Sequence, residues 1–130
     1  MEKVKQITEE IRGLETSLRE KRNDLIKALF LDIPNLNKVS LNIKEEYDDN
    51  NYYDNVVIQE INGESYSSDI EEYTIDDEGN SDEFKAFCFS VKLKLSEIKS
   101  LVNILLYEIP KDHYNGDYRE VEIKREDYVK

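Results

Sequence analysis

The stretch that decides the fold is residues 38–63, KVSLNIKEEYDDNNYYDNVVIQEING. Its first ten residues alternate apolar and polar side chains, which is typical of a strand with one buried face. After a turn cluster at 48–51, residues 52–61 predict a second strand. Asn62 and Gly63 both tolerate the positive φ of a type I′ turn, so they predict a further hairpin. The stretch therefore predicts antiparallel strands joined by tight turns.

The residues after Gly63 predict more strands and one helix. Short strands are expected at 64–68 and 72–75, and a turn or loop at 76–81. Residues 83–95, EFKAFCFSVKLKL, are apolar at both alternating sets of positions in their first half, which favours a central strand. Ser96 is the predicted N-cap of a helix that extends to about residue 109 and stops at Pro110. Asn115-Gly116 predicts a turn, and the last strand is predicted within 117–126.

Residues 1–33 predict one long helix, with apolar side chains at the a and d positions of a heptad repeat. Those positions hold Val4, Ile7, Ile11, Leu14, Leu18, Leu25 and Ala28, with Lys21 as an interruption. Its regular part, residues 3 to about 31, has about 28 residues and is about 42 Å long at 1.5 Å per residue, more than a small globule needs. Two interpretations remain open. The favoured one lays the whole helix across the sheet; the other pairs its first half with a helix of a partner or of a homodimer.

These elements predict one α+β domain over residues 1–130. It comprises the long N-terminal helix, an antiparallel sheet of about four to six strands with acidic hairpins at 38–95, a second helix near 96–109, and a C-terminal strand.

The charge of the chain is concentrated in its middle. Fifteen acidic residues and no Lys, Arg or His lie between Glu45 and Glu83, a window bounded by Lys44 and Lys85. The rest of the chain carries 18 basic and 15 acidic residues, so the window accounts for the whole net charge of −12. Five of the nine tyrosines are in the same window.

No motif for catalysis, cofactor binding or metal binding is found. The chain has one cysteine, Cys88, and one histidine, His113, and neither lies in a nucleophile or zinc motif. Placing Gly63 or Gly79 at the sixth position of a calcium loop leaves no ligand at its first position. We therefore expect no catalytic residue, no cofactor and no metal. Without a signal peptide or an apolar membrane span, we expect a cytoplasmic protein that does not bind membranes.

The acidic window predicts a basic protein partner rather than direct binding to nucleic acid, which phosphate repulsion opposes. Fifteen charges match about 25 Å of duplex DNA, because B-DNA carries one charge per roughly 1.7 Å. In its size, acidity and lack of catalytic motifs, the chain resembles small phage-encoded inhibitors of host defence, including anti-CRISPR and anti-restriction proteins, some of which mimic DNA. The resemblance is to a broad type and not to a family. It implies an inhibitor, acting in the host cytoplasm, of a nucleic-acid-binding enzyme or effector complex.

Three alternatives stay open. The chain has the character of an immunity protein that neutralises a basic nuclease toxin. It also suits a helix-mediated adaptor or dimerisation protein with an incidental acidic surface. Finally, the window itself is explained equally by a solvated insert that aids solubility.

The predicted partner-binding residues combine carboxylates with tyrosines, which offer a large amphipathic contact area. They are Glu45, Glu46, Asp48, Asp49, Tyr52, Tyr53, Asp54, Tyr66, Asp69, Glu71, Glu72, Tyr73, Asp76, Asp77, Glu78 and Asp82. Some of these tyrosines are expected to belong to the core instead.

Overall fold

The computed structural model describes residues 1–110, Tyr114 and residues 119–130, with the backbone alone for Asp48. Helix α1 spans Glu2–Asp32 and is followed by strands β1 (Lys38–Asp48), β2 (Asn51–Ile61) and β3 (Glu64–Ile70). Helices α2 (Glu72–Glu78), α3 (Asp82–Val91) and α4 (Leu95–Val102) come next. A π-helical segment, Asn103–Glu108, leads towards β4 (Glu120–Lys124) and a last helical turn, α5 (Arg125–Tyr128). The predicted α+β fold is confirmed.

The four described strands form one antiparallel sheet in the order β3-β2-β1-β4. Both predicted turns have the required backbone. Asp49 and Asn50 have φ of 45° and 69°, and Asn62 and Gly63 have φ of 54° and 83°. The first turn pairs Asp48 with Asn51 and so continues the β1–β2 ladder to its tip. The predicted turn at 115–116 lies outside the described residues.

One buried cluster joins the sheet to the helices. Alternate residues of the central strands, such as Leu41 and Ile58, point into it because side chains on a strand alternate between faces. Phe30, Phe84 and Ile98 meet them from three helices, each with no exposed surface.

The predicted central strand at 83–95 is wrong, because residues 82–91 form helix α3. Its buried residues Phe84, Phe87 and Val91 recur at helical spacing, whereas Phe89 is 87% exposed. Ser81 is the N-cap, its hydroxyl accepting a hydrogen bond from the backbone N–H of Phe84 at 3.1 Å. Aromatic and β-branched residues favour strands only when packing agrees, and here helical packing against the sheet decides.

Two smaller predictions are also corrected. The expected strand at 72–75 and part of the expected turn at 76–81 form helix α2, which places Ile75 in the core. Helix α4 begins at Leu95 with Lys94 as its N-cap, two residues before the predicted N-cap Ser96. The Glu97 carboxylate accepts a hydrogen bond from the Lys94 backbone N–H at 2.8 Å, so Glu97 supplies the capping interaction instead.

Helix α1 packs on the domain only through its last third, where Ile26, Leu29 and Phe30 are buried. Every residue from 1 to 21 is exposed. The favoured interpretation, in which the whole helix lies across the sheet, is therefore wrong for its first two thirds.

Arg125 holds the end of α1 against the C-terminal part of the chain. Its guanidinium donates hydrogen bonds to the carbonyls of Phe30, Ile33 and Pro34 at 2.5, 2.9 and 3.1 Å, and to that of Leu36 at 2.9 Å. The last carbonyls of a helix have no partner within the helix, so Arg125 satisfies the Phe30 carbonyl in the last turn of α1. The Ile33 carbonyl, by contrast, also accepts a hydrogen bond from the Leu36 backbone N–H at 3.0 Å.

Candidate functional site

The tip of the β1–β2 hairpin extends beyond the rest of the sheet. Among the described strands, β4 pairs with β1 only up to Asn42, and β3 pairs with β2 only from Ile58 onwards. We call residues 44–55 the arm. At about 3.4 Å per residue, its paired strands extend roughly 17 Å. The arm is thus a two-stranded projection that carries the first part of the acidic window.

One face of the arm places two carboxylates directly opposite each other. Glu45 pairs with Asp54 across the strands, a like-charge arrangement that destabilises a sheet. Arg119 relieves it, because its guanidinium lies 3.2 Å from the Asp54 carboxylate and 3.8 Å from that of Glu45. This contact is not predictable from the sequence, since Arg119 lies far outside the acidic window.

Aromatic side chains cover the end of the same face. Tyr47 and Tyr52 are cross-strand neighbours with ring centroids 4.9 Å apart, and they are 57% and 72% exposed. On the other face, the Tyr53 hydroxyl donates a hydrogen bond to Glu46 at 2.9 Å. Tyr47 was not among the predicted partner-binding residues, although its alternation with Glu45 on one face indicates the same exposed position as Tyr52.

Asp69 joins the arm to the second part of the window. Its carboxylate forms an ion pair with Lys44 at the base of the arm. Its backbone carbonyl accepts a hydrogen bond from the Thr74 hydroxyl at 2.9 Å, at the start of α2. The arm and helix α2 therefore meet at one residue of β3.

Helix α2 and its flanks, residues 71–83, form the second acidic region, which we call the α2 surface. Burial raises the pKa of the Tyr107 hydroxyl, its hydrogen bond to Glu72 raises it further, and the charges of Glu71 and Asp76 add to the effect. The three carboxylates are thus close enough to act on one hydroxyl. Tyr107 and Glu72 also line an open groove of about 420 Å³ between α2 and α4.

Two of the predicted partner-binding residues, Tyr66 and Asp82, have structural roles. Tyr66 packs edge-on against Phe84 and Phe87, with ring centroids 5.1 and 5.5 Å away, and its hydroxyl donates to Glu78 at 3.0 Å. Burial raises the pKa of Tyr66, and Glu78 raises it further. Asp82 occupies the first turn of α3, where a negative charge is stabilised by the helix dipole.

The remaining predicted residues divide by exposure. Those on the open surface are Glu45, Asp49, Tyr52, Tyr53, Glu72, Tyr73, Asp76, Asp77 and Asp82, while Glu46, Asp54, Tyr66, Asp69, Glu71 and Glu78 are half-buried. The side chain of Asp48 lies outside the description. Of the window's described carboxylates, only Glu45, Asp54 and Asp69 form ion pairs within 4.0 Å. The surface therefore keeps most of its negative charge.

Within the described residues, no group of three His, Cys, Asp or Glu side chains is placed to hold a metal ion. None of the described helices has both the length and the apolar character needed to cross a membrane. Comparisons of the chain with protein-family models, with curated proteins and with solved structures find no significant match. Function is therefore inferred from the chemistry of the acidic surface.

Proposed function

We propose that this chain is a non-enzymatic interaction protein that inhibits a partner by occupying its basic nucleic-acid-binding surface. The observation that supports this most is the arm, a thin projection whose exposed tyrosines lie among carboxylates. Neighbouring strands lie about 4.8 Å apart, so a two-stranded arm is narrow enough to enter a groove that accommodates nucleic acid.

The charge distribution suits such an encounter. Two unit charges 4 Å apart interact by only about 1 kcal/mol in water, so the free protein tolerates the crowding of carboxylates on its surface. A concentrated negative field steers association with a positive cleft and accelerates it. Tyr52 and Tyr73, 72% and 65% exposed, then supply apolar contact area once the surfaces meet.

The partner class is a nucleic-acid-handling enzyme or effector complex, and the biological role is of the phage anti-defence type, such as an anti-CRISPR or anti-restriction protein acting in the host cytoplasm. An immunity protein against a nuclease toxin would present the same surface. The identity of the inhibited enzyme distinguishes the two roles.

The test begins with capture of partners from the source cells at about 50 and 200 mM salt, a range over which electrostatic complexes weaken strongly. The purified partner is then mixed with labelled nucleic acid and increasing amounts of this protein. We expect competition between protein and nucleic acid for one site. If the partner holds both at once with unchanged affinities, the proposal is wrong.

A charge-reversed variant tests the surface itself. It replaces with Lys four exposed acids that form no ion pair: Asp49, Asp76, Asp77 and Asp82. The matched control replaces four exposed acids outside the window: Glu108, Glu120, Glu126 and Asp127. Both variants change the net charge by the same amount. We expect the first to lose at least about 100-fold in affinity, since each reversal turns an attraction of about 1 kcal/mol into a repulsion, and the control to lose far less. Equal losses would mean that only net charge matters.

A further inference from the structure

The first two thirds of helix α1 leave the domain with an uncovered apolar stripe. The side chains of this stripe are Val4, Ile7, Ile11, Leu14 and Leu18, between 47% and 71% exposed. They occupy successive a and d positions over just more than two heptads, which is the pattern of a helix that pairs with another helix.

The stripe and the face that packs on the domain overlap only in part. Successive residues of an α-helix are rotated by about 100°, so the mean direction of the stripe differs by roughly 70° from that of Ile26, Leu29 and Phe30. Leu25 and Leu29 lie in line with the stripe and pack on the core, so the domain covers this side of α1 only in the last third of the helix. The stripe from Val4 to Leu18 has no described part of the domain against it.

The surface area of the chain agrees with a missing contact. The accessible surface is 8845 Å². A compact monomer of 15.4 kDa exposes about 7,200 Å². The excess is about twice the roughly 800 Å² that each partner buries in an interface of standard size. Covering one side of the projecting helix would remove a large part of this excess accessible surface.

The charges of the projecting segment indicate what covers it. Residues 2–21 contain five acidic and five basic side chains, so the segment is neutral although the chain carries −12. A neutral segment has no complementarity to the basic partner of the acidic surface, and two copies of it meet without net repulsion. We propose that α1 pairs with α1 of a second copy, in an antiparallel coiled coil.

A parallel arrangement is disfavoured by two contacts. In register, Lys21 at a d position would lie against Lys21 of the partner subunit. Glu10 at a g position would face Glu15 of the partner subunit at an e position. Both contacts bring like charges together, and the second occurs twice in a symmetric dimer.

An antiparallel pair with Ile11 opposite Leu14 of the partner subunit avoids both contacts. Ile7 then lies opposite Leu18 of the partner subunit, so the four central layers are entirely apolar. Lys21 falls in the outermost layer, where its ammonium group reaches water while its methylenes cover the stripe.

The same register adds favourable contacts at both ends. Lys3 lies beside Asp24 of the partner subunit, both at g positions, which places opposite charges together. The paired segment of each helix ends at Asp24, just before Ile26, which is buried in the core. The coiled coil therefore ends where the domain of each subunit begins. The paired helices are about 30 Å long, and the two domains, each with its acidic arm, lie at opposite ends of them.

Sedimentation equilibrium of the full chain tests the dimer, with an expected dissociation constant of about 1–100 µM for so small an interface. Ile11→Asp removes a central layer and should leave a monomer at every concentration. Thr16→Asp introduces the same residue on the opposite, exposed face and should leave the dimer intact. A wild-type chain that stays monomeric at the highest concentration, or an Ile11→Asp chain that still dimerises, would overturn the proposal.

Disulfide cross-linking in a Cys88→Ser background tests the orientation. A mixture of the Ile11→Cys and Leu14→Cys chains should cross-link as heterodimers, because the antiparallel register brings these two positions within disulfide reach. Efficient self-linking of Leu14→Cys alone would instead show a parallel pair and refute the antiparallel register. The Ile11→Asp monomer keeps its acidic surface, so its competition with nucleic acid reports on the proposed function independently.

Discussion

Replacing Arg125 with Ala should destabilise the protein more than any other single change to a charged residue described above. The guanidinium makes four hydrogen bonds to carbonyls at and just after the end of α1, and its centre lies 5.7 Å from the Phe30 ring centroid. Of these acceptors, Phe30, Ile33 and Leu36 are buried residues, and the Ile33 carbonyl keeps its hydrogen bond from the Leu36 backbone N–H after truncation. An unsatisfied buried carbonyl costs about 1–3 kcal/mol. Since water reaches some of them after truncation, we expect a loss of about 3 kcal/mol.

The loss is measured by urea unfolding followed by far-UV circular dichroism, with an unchanged dependence on urea as evidence for the same folded and unfolded states. About 3 kcal/mol corresponds to a fall in Tm of roughly 12 °C for a domain of this size. Arg125→Lys should lose less, because an ammonium group reaches fewer of the carbonyls. Arg119→Ala is the matched control and should cost under about 1 kcal/mol, as its ion pairs are exposed. A loss below about 1 kcal/mol in Arg125→Ala would refute the capping role.

Two further changes test the turn chemistry and the surface electrostatics. Gly63→Ala forces an alanine to φ of 83° and should cost about 1–2 kcal/mol of unfolding free energy, measured in urea. The control, Gly13→Ala, lies in open space on α1, so it should not destabilise the protein and should raise its helix content. Losses of stability in both variants would contradict the role of positive φ at Gly63. The hydrogen bond and charge of Lys38 lower the pKa of Glu122 below its ordinary 4.5, so this pair stabilises the fold above that pH and loses its effect as pH falls through the lower, folded-state pKa. Glu122→Gln should therefore be less stable than wild type at neutral pH and equal to it in acid, and a stability difference independent of pH would argue against the contact.

The sequence predicted those parts of the fold that depend on local rules. The alternation at 38–47 and the Asn62-Gly63 turn indicate a hairpin because strand period and positive φ are properties of neighbouring residues. The long helix at 1–33 followed in the same way from heptad spacing.

The error at 83–95 has a physical cause. Its aromatic and β-branched residues satisfy both a period of two and a period near 3.6, so a short apolar run does not distinguish a strand from a helix. The Ser81 cap and the acids Asp82 and Glu83 after it are the local evidence for a helix, whereas the prediction places Ser81 in a turn and Glu83 in a strand. Packing of Phe84 and Phe87 against the sheet, which local sequence does not encode, decides the outcome.

For the candidate site, the sequence predicted the carboxylates but not their neutralisation. Lys44 and Arg119 reach into the window from outside it, and Arg119 comes from 65 residues beyond Asp54. Such pairs depend on the strand order β3-β2-β1-β4, which cannot be obtained by counting charges along the chain. The role of Arg125 was missed for the same reason, since its acceptors are about 90 residues away.

The arm has a consequence for how copies of the protein behave in concentrated solution. Among the described residues, the backbones of its two strands hydrogen-bond only to each other, which leaves two edges that can each add a strand from another chain. Carboxylates lie on both strands of the arm and at its tip, at Glu45, Asp54 and Asp49, so two arms repel when they approach edge to edge. High salt screens this repulsion, so the protection fades there and the arms become sites of aggregation. The same carboxylates thus keep the protein dispersed at neutral pH while leaving the arm open to a strand that carries positive charge.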